Sequence, residues 1–183
     1  LINDQQKKIE TGIVIKLDTS EKQVKYIYLG IGSNLGNRKK NINTAKLRLT
    51  ENNILILKSS NFYESLSWPN YKNPKFLNIV LKIDTSMSVS KLLKVCKNIE
   101  KSLGRKKNTK NAPRECDIDI LDYKQRRIKG NIILPHPRMH KRNFVLFPLF
   151  EIDKNWKHPI SKENLKNLIK LLSKKDIRSI KKI

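Results

Sequence analysis

The apolar positions of this 183-residue chain repeat with two periods, and the period changes from one segment to the next. Tyr26 to Ile31 is a β-rich run that leads into Gly30-Ile31-Gly32-Ser33-Asn34. Glycine there permits a sharp turn, and Ser or Asn can cap a helix beyond it. Ile42, Ala45 and Leu49 then recur at helical spacing and predict a helix from about Arg38 to Glu51. Ile54 to Tyr63 and Lys75 to Ile83 read as two further strands, separated by a loop, Glu64 to Pro74, with breaks at Trp68-Pro69 and Asn73-Pro74. Val89, Leu92, Leu93, Cys96, Ile99 and Leu103 mark the clearest helix, Ser88 to Leu103, with Gly104 where a C-terminal cap belongs. A basic polar loop, Lys106 to Arg114, leads into a strand at Asp117 to Asp122, and another short strand is expected near Ile132 to Leu134. Phe144 to Leu149 is an apolar run suited to the core, and Leu165, Leu168, Ile169 and Leu172 define a last amphipathic helix.

The order βαββαβ with additions predicts an α+β domain whose helices cover an antiparallel or mixed sheet, as in ferredoxin-like folds. A chain of 183 residues suits one domain. Residues 1–25 are polar apart from Ile13-Val14-Ile15 and read as an N-terminal appendage that could be the remnant of a fused neighbour. Residues 26–153 form the expected core domain, and 154–183 a basic helical extension packed on it. A hydrophobic share of 38% allows a core. Apolar runs such as Ile79 to Leu81 and Val145 to Phe147 fall far short of the roughly 20 residues that span a bilayer. A cytoplasmic, monomeric protein without membrane contact is expected. Cys96 and Cys116 suggest neither a disulfide framework nor a zinc site, and are expected to be reduced thiols.

Charge opens a rival reading. The net charge of +24, from 40 Lys and Arg against 16 Asp and Glu, attracts polyanions, so RNA binding competes with nucleotide chemistry. Between Lys154 and Ile183, however, ten basic residues stand against only Glu163 and Asp176, so much of the excess lies outside the core segment. The RNA reading also demands aromatics interleaved with Lys on an exposed sheet. A dinucleotide-binding reading of Gly30, Gly32 and Gly36 fails on spacing, which is Gly-x-Gly-x-x-x-Gly, with no acid about 20 positions on.

The chemically informative segment is Pro113-Arg114-Glu115-Cys116-Asp117-Ile118-Asp119-Ile120-Leu121. On a strand Asp117 and Asp119 share one face, and Ile118 and Ile120 the other. Two neighbouring carboxylates repel unless a cation sits between them, and hard oxygen ligands suit Mg²⁺. A solvated strand face would look the same, so the surrounding charge matters. Arg105, Lys106, Lys107, Lys110 and Arg114 precede the pair, and no acid lies between Lys101 and Arg114. That setting suits phosphoryl transfer, in which metal ions bridge phosphates and cations neutralise the moving group. His136, between two prolines and followed by Arg142, is a candidate nucleotide contact. Phe76 and Asn78 share a strand face, and with Phe144 could hold a flat heterocycle; taken alone, Phe76 and Phe144 would be read as core residues. The residues by themselves lead to a magnesium-dependent enzyme acting on nucleotide phosphates.

Gly32-Ser33-Asn34-Leu35, Ser59-Ser60-Asn61-Phe62-Tyr63, Phe76-Leu77-Asn78, Gly104-Arg105, Pro113-Arg114 with Asp117-Ile118-Asp119, and Leu134-Pro135-His136-Pro137 with Arg142-Asn143-Phe144 occur in this order. Together they make the chain closely resemble the 6-hydroxymethyl-7,8-dihydropterin pyrophosphokinases of folate synthesis over roughly Tyr26 to Asp153. The resemblance implies a three-layer α-β-α, ferredoxin-like domain with a mostly antiparallel sheet. It also implies two Mg²⁺ ions, ATP as pyrophosphoryl donor and a pterin acceptor. It makes Asp117 and Asp119 the metal ligands, with Arg105 and Arg114 stabilising the transferring phosphates. Ser65, Leu66, Phe76, Asn78 and Phe144 correspond to the pterin site. Glu100, Ile120, His136 and Arg142 correspond to the ATP side, to which the basic loop adds Lys107 and Lys110. Two places depart from the family pattern. Asn111-Ala112 stands where members carry a Trp and then a Gly before Pro-Arg, and Ser65-Leu66 replaces a Thr-Pro pair.

Overall fold

A computed structural model of the chain describes residues 25–67, 70–105 and 112–183. The expected appendage, Lys107, Lys110 and Asn111 therefore lie outside the described residues, apart from Lys25.

Strand β1, Ile27–Ser33, lies inside the sheet and is buried on both faces. It pairs antiparallel with β4, Phe76–Asp84, on one side and with β5, Asp117–Tyr123, on the other. Beyond β4 come β2, Leu55–Ser59, and β3, Tyr63–Ser65, and β3 also takes up the short β6, Lys181–Lys182. Every pairing among the described strands is antiparallel, and the order β5-β1-β4 followed by β2 and β3 is that of a ferredoxin-like βαββαβ unit.

The period of two sorts the sheet residues between two cores. Ile27, Leu29 and Ile31 of β1, Leu77, Ile79, Leu81 and Ile83 of β4, and Ile118 and Ile120 of β5 face one layer. That layer is α1, Arg38–Glu51, with Ile42, Ala45 and Leu49, and α2, Val89–Ser102, with Leu92, Cys96 and Ile99. Asn37 and Ser88 cap these helices, accepting from the backbone N–H of Lys40 and Lys91, and Gly104 takes φ +107° just past α2. Tyr28, Val80 and Leu121 point the other way, onto α3, Asn143–Ile152, and α4, Leu165–Lys170, with Trp156 between. Helices on both faces make three layers.

Three segments differ from the sequence expectation or add to it. The strand expected over Ile54 to Tyr63 is two strands, because Ser60 interrupts the ladder. Its N–H donates to the Val80 carbonyl (3.0 Å) while its hydroxyl accepts from the Val80 N–H (3.0 Å), so a side chain replaces one backbone partner. Near Ile132 to Leu134 a single Ile128–Leu134 bridge forms instead of a strand, since Pro135 supplies no N–H to extend it. The apolar run Phe144 to Leu149 docks in the core as expected, as the middle of helix α3. The last helix is shorter than expected, and is followed by α5, Lys174–Ser179, and β6. Asn143 ties α5 to the start of α3 through bonds from Nδ2 to the Asp176 carbonyl (2.6 Å) and Ser179 Oγ (3.0 Å).

Burial sets the titration of several groups. Cys96 and Cys116 are both free and buried, and burial pushes each thiol up to about 12. His158 is buried as well. Its Nδ1 accepts from the N–H of Ile160 (3.3 Å) and Ser161 (3.2 Å), so the ring keeps its proton on Nε2, which has no partner among the described residues. Burial, then His140, Arg127 and Lys162, lower its pKa. The unfolded chain takes up a proton near pH 6.5, but the folded protein resists it, so stability is complete above that pH and lost as pH falls below it. His136 and His140, also lowered by burial, act in the same direction. The melting temperature should be flat from pH 8 to 7 and fall between pH 6.5 and 5, with a shallower fall in His158→Gln. An identical slope in that variant would remove His158 as a cause.

Candidate active site

The face of the sheet that meets α3 is incomplete. On β1 the residues turned to that face are Tyr28, Gly30 and Gly32; Tyr28 packs in the core, while the glycines leave a gap. Gly32 lies between Asp117 and Asn78 in register, and Gly30 between Asp119 and Val80. A Cβ on Gly32 would come 3.0 Å from Asn78 Oδ1 and 3.3 Å from the Phe76 ring, so only glycine fits without displacing both. The result is a cleft of about 260 Å³ with the carboxylates on one side and the aromatic and amide residues on the other.

Ser65, Leu66, Phe76, Asn78, Arg105, Arg114, Asp117, Asp119, His136, Arg142 and Phe144 all line this cleft. Eleven residues singled out from sequence thus meet in one place, from segments up to 79 positions apart. Asn78 is held by its amide, which donates to Ser65 Oγ (3.0 Å) and to the Tyr63 carbonyl (3.3 Å).

The two carboxylates are bracketed by cations. Asp117 accepts from Arg105 (2.5 Å) and Arg114 (3.2 Å), and Asp119 from Arg142 (3.1 Å), with His136 Nε2 at 3.7 Å. Two of these arginines also reach an aromatic wall: the Arg114 guanidinium lies 6.0 Å from the Phe76 ring centre and that of Arg142 5.4 Å from Phe144. Burial opposes the Arg105 charge, but Asp117 and Glu100 outweigh it and raise its pKa. Burial lowers His136 against the pull of Asp119, with Arg142 and Arg138 adding to the fall. Its Nδ1 accepts from the Arg138 N–H (3.2 Å), which leaves Nε2 to carry the proton toward Asp119 and the cleft.

Glu100 and Ile120, placed on the ATP side by resemblance, do not line the cleft. Ile120 points into the core against α1 and α2. Glu100 is buried beneath the site, where it accepts from Lys97 (2.8 Å), Arg105 (2.7 Å) and the Ile118 N–H (2.7 Å). It joins α2 to β5 and sets the angle of Arg105. Removing the carboxylate leaves the buried Ile118 N–H without its acceptor, while Lys97 and Arg105 stay partly exposed. Glu100→Ala should therefore lower stability by about 2 kcal/mol, read from urea unfolding; a change below about 0.5 kcal/mol would mean that the N–H finds water instead.

Sequence reasoning missed two cations of the lining, Lys97 and Arg138. Lys97 precedes Glu100 by one helical turn, and an acid at position 100 of the stripe Leu92, Cys96 was the available signal. Arg138 sits in an irregular turn with no periodicity to reveal it.

Carboxylate oxygens facing an open cleft are donors suited to a hard cation. Among the described residues no group of three or more His, Cys, Asp or Glu converges on a metal site, so further ligands would come from phosphate and water, as Mg²⁺ commonly accepts. On this α+β scaffold one cleft thus gathers paired carboxylates, arginines and two aromatic rings.

The family model for 7,8-dihydro-6-hydroxymethylpterin-pyrophosphokinase (HPPK) matches residues 28–154, and the chain belongs to that family. It is 45% identical over 141 residues to a 2-amino-4-hydroxy-6-hydroxymethyldihydropteridine pyrophosphokinase of Aquifex aeolicus, covering 76% of this chain and 88% of that protein. A protein of the same description from Bacillus subtilis is 36% identical over 68% of this chain and 76% of its own length. A folic acid synthesis protein of Pneumocystis carinii is 37% identical over 84% of this chain, which spans only 21% of that longer protein. Among solved structures, a Plasmodium falciparum HPPK-DHPS with pterin and p-hydroxybenzoate superposes with TM-score 0.66 at 16% identity, covering 92% of this chain and 49% of that one. At that identity it speaks for the fold alone.

Proposed function

We infer that this protein transfers pyrophosphate from ATP to 6-hydroxymethyl-7,8-dihydropterin, giving AMP and the pterin pyrophosphate, in folate biosynthesis. The observation that carries the reading is one cleft with Asp117 and Asp119 on its phosphate side and Phe76, Asn78 and Phe144 on the other. The family and the names of its members support the same activity.

Phe76 and Phe144 sandwich the pterin, and Asn78, locked by Ser65 and Tyr63, presents the carboxamide oxygen to its edge. Leu66 closes that end of the cleft. His136 and Arg142 hold the nucleotide, with Lys107 and Lys110 of the basic loop. Asp117 and Asp119 are the residues that would hold two magnesium ions. Bound there, Mg²⁺ would neutralise phosphate charge and orient the donor. The hydroxymethyl oxygen then attacks the β-phosphorus in line; the new C–O–P bond forms as the bridge to the α-phosphate breaks, the hydroxyl proton goes to water, and AMP departs. Arg105 and Arg114 turn from Asp117 to the phosphate oxygens and stabilise the charge on the moving group. Positioning supplies most of the remaining rate.

Among the described residues no helix is long and apolar enough to cross a membrane, and a monomer working in the cytoplasm suits this chemistry. The test is incubation with ATP, Mg²⁺ and the dihydropterin, followed by chromatography of AMP and pterin pyrophosphate. Equal, magnesium-dependent amounts are expected. ADP in place of AMP would overturn pyrophosphoryl transfer, and no pterin product would overturn the acceptor.

A further inference from the structure

Arg114 is held in place by a residue that does not line the cleft. Asn34, only 2% exposed, follows β1 and forms a closed two-bond ring with Arg114: its Oδ1 accepts from the Arg114 N–H (2.8 Å), and its own N–H donates to the Arg114 carbonyl (3.1 Å). Its Nδ2 donates to the Pro74 carbonyl (3.1 Å), two residues before Phe76. The carboxamide thus spans segments 80 and 40 positions away. A buried amide without partners is costly, and here each polar atom has one. The ring clamps both polar backbone groups of Arg114 and so fixes the point from which its side chain reaches Asp117 and the Phe76 ring, and from which it turns to the phosphates.

We propose that Asn34 is a positioning residue for the transfer step, acting through the backbone of Arg114. The proposal rests on the role given to Arg114 above. Asn34 touches no substrate in this arrangement, so its loss acts on the rate of the step and not on nucleotide affinity. A side chain that merely supported the fold would lower stability without this division.

The experiment compares kcat and KM for ATP and for the dihydropterin in wild type, Asn34→Ala, Asn34→Asp, Arg114→Ala and the Asn34→Ala/Arg114→Ala double variant, with melting temperatures for each. Asn34→Ala is expected to lower kcat about tenfold, the size of one lost hydrogen bond, with KM for ATP within about twofold. Asn34→Asp keeps the acceptor for the Arg114 N–H and should recover most of the rate, at a lower melting temperature because its second oxygen meets the Pro74 carbonyl to which Nδ2 donated. In the Arg114→Ala background, Asn34→Ala should cost nothing further, because the group it positions is gone. Equal losses in both backgrounds, or an Asp variant as slow as Ala, would overturn the proposal while leaving Arg114 in its role. An Arg114→Ala enzyme with full turnover would instead remove the reading of Arg114 on which it stands. Should Asn34→Ala not fold, the Asp variant alone and in the Arg114→Ala background makes the same comparison.

Discussion

Asp119→Ala and Asp117→Ala are each expected to lower pyrophosphoryl transfer about a thousandfold, the upper end of the scale seen when a site loses one charge-stabilising group. The fold should survive. Asp117 is 27% exposed and Asp119 35%, so their ion pairs are partly screened and are worth about 1 kcal/mol or less each. For a chain of this size that is a shift in melting temperature of about 2 to 4 °C. Single-turnover AMP formation beside a thermal melt separates the two effects. Near-wild-type turnover in either variant would end the assignment of these carboxylates to the metal site. A large thermal loss in both would mean that they serve chiefly to hold Arg105, Arg114 and Arg142.

Arg114→Ala should lower the rate of the chemical step about a hundredfold or more while changing ATP affinity little, because a cation that meets charge developed during transfer contributes mainly at that moment. Arg105 is the less clean probe. It also answers buried Glu100, so its removal costs stability together with catalysis. Among the described residues Arg114 has no buried carboxylate partner, and its ion pair with Asp117 is partly exposed. Single-turnover rates and ATP titration of the Arg114→Ala enzyme give the comparison. Equal losses in rate and affinity would make Arg114 a nucleotide-binding residue.

Much of this site was legible because β5 obeys a simple rule. Alternation along a strand places Asp117 and Asp119 on one face whatever the rest of the chain does, and β4 does the same for Phe76 and Asn78. Glu100 and Ile120 show the limit. Alternation itself puts Ile120 on the face opposite the aspartates, and its side chain packs in the core, so its side chain is not part of the cleft. Glu100 lies on the buried stripe of α2, one turn beyond Cys96, where an acid must find partners, but their identity depends on how α2 lies across β5.

The sequence by itself determined the local elements, the α+β order, the shared faces and the types of chemistry available, since these follow from periods of two and 3.6 and from neighbours a few positions apart. Only the tertiary structure decided that Gly30 and Gly32 lie between the carboxylate strand and the amide strand and so open the cleft. It alone decided that Ser60 splits one strand in two, that Lys97 and Arg138 join the lining, and that Asn34 reaches 80 residues along the chain to clamp Arg114. Those facts depend on strand register and helix placement, which are set by packing across the whole sheet and leave no mark in any single segment.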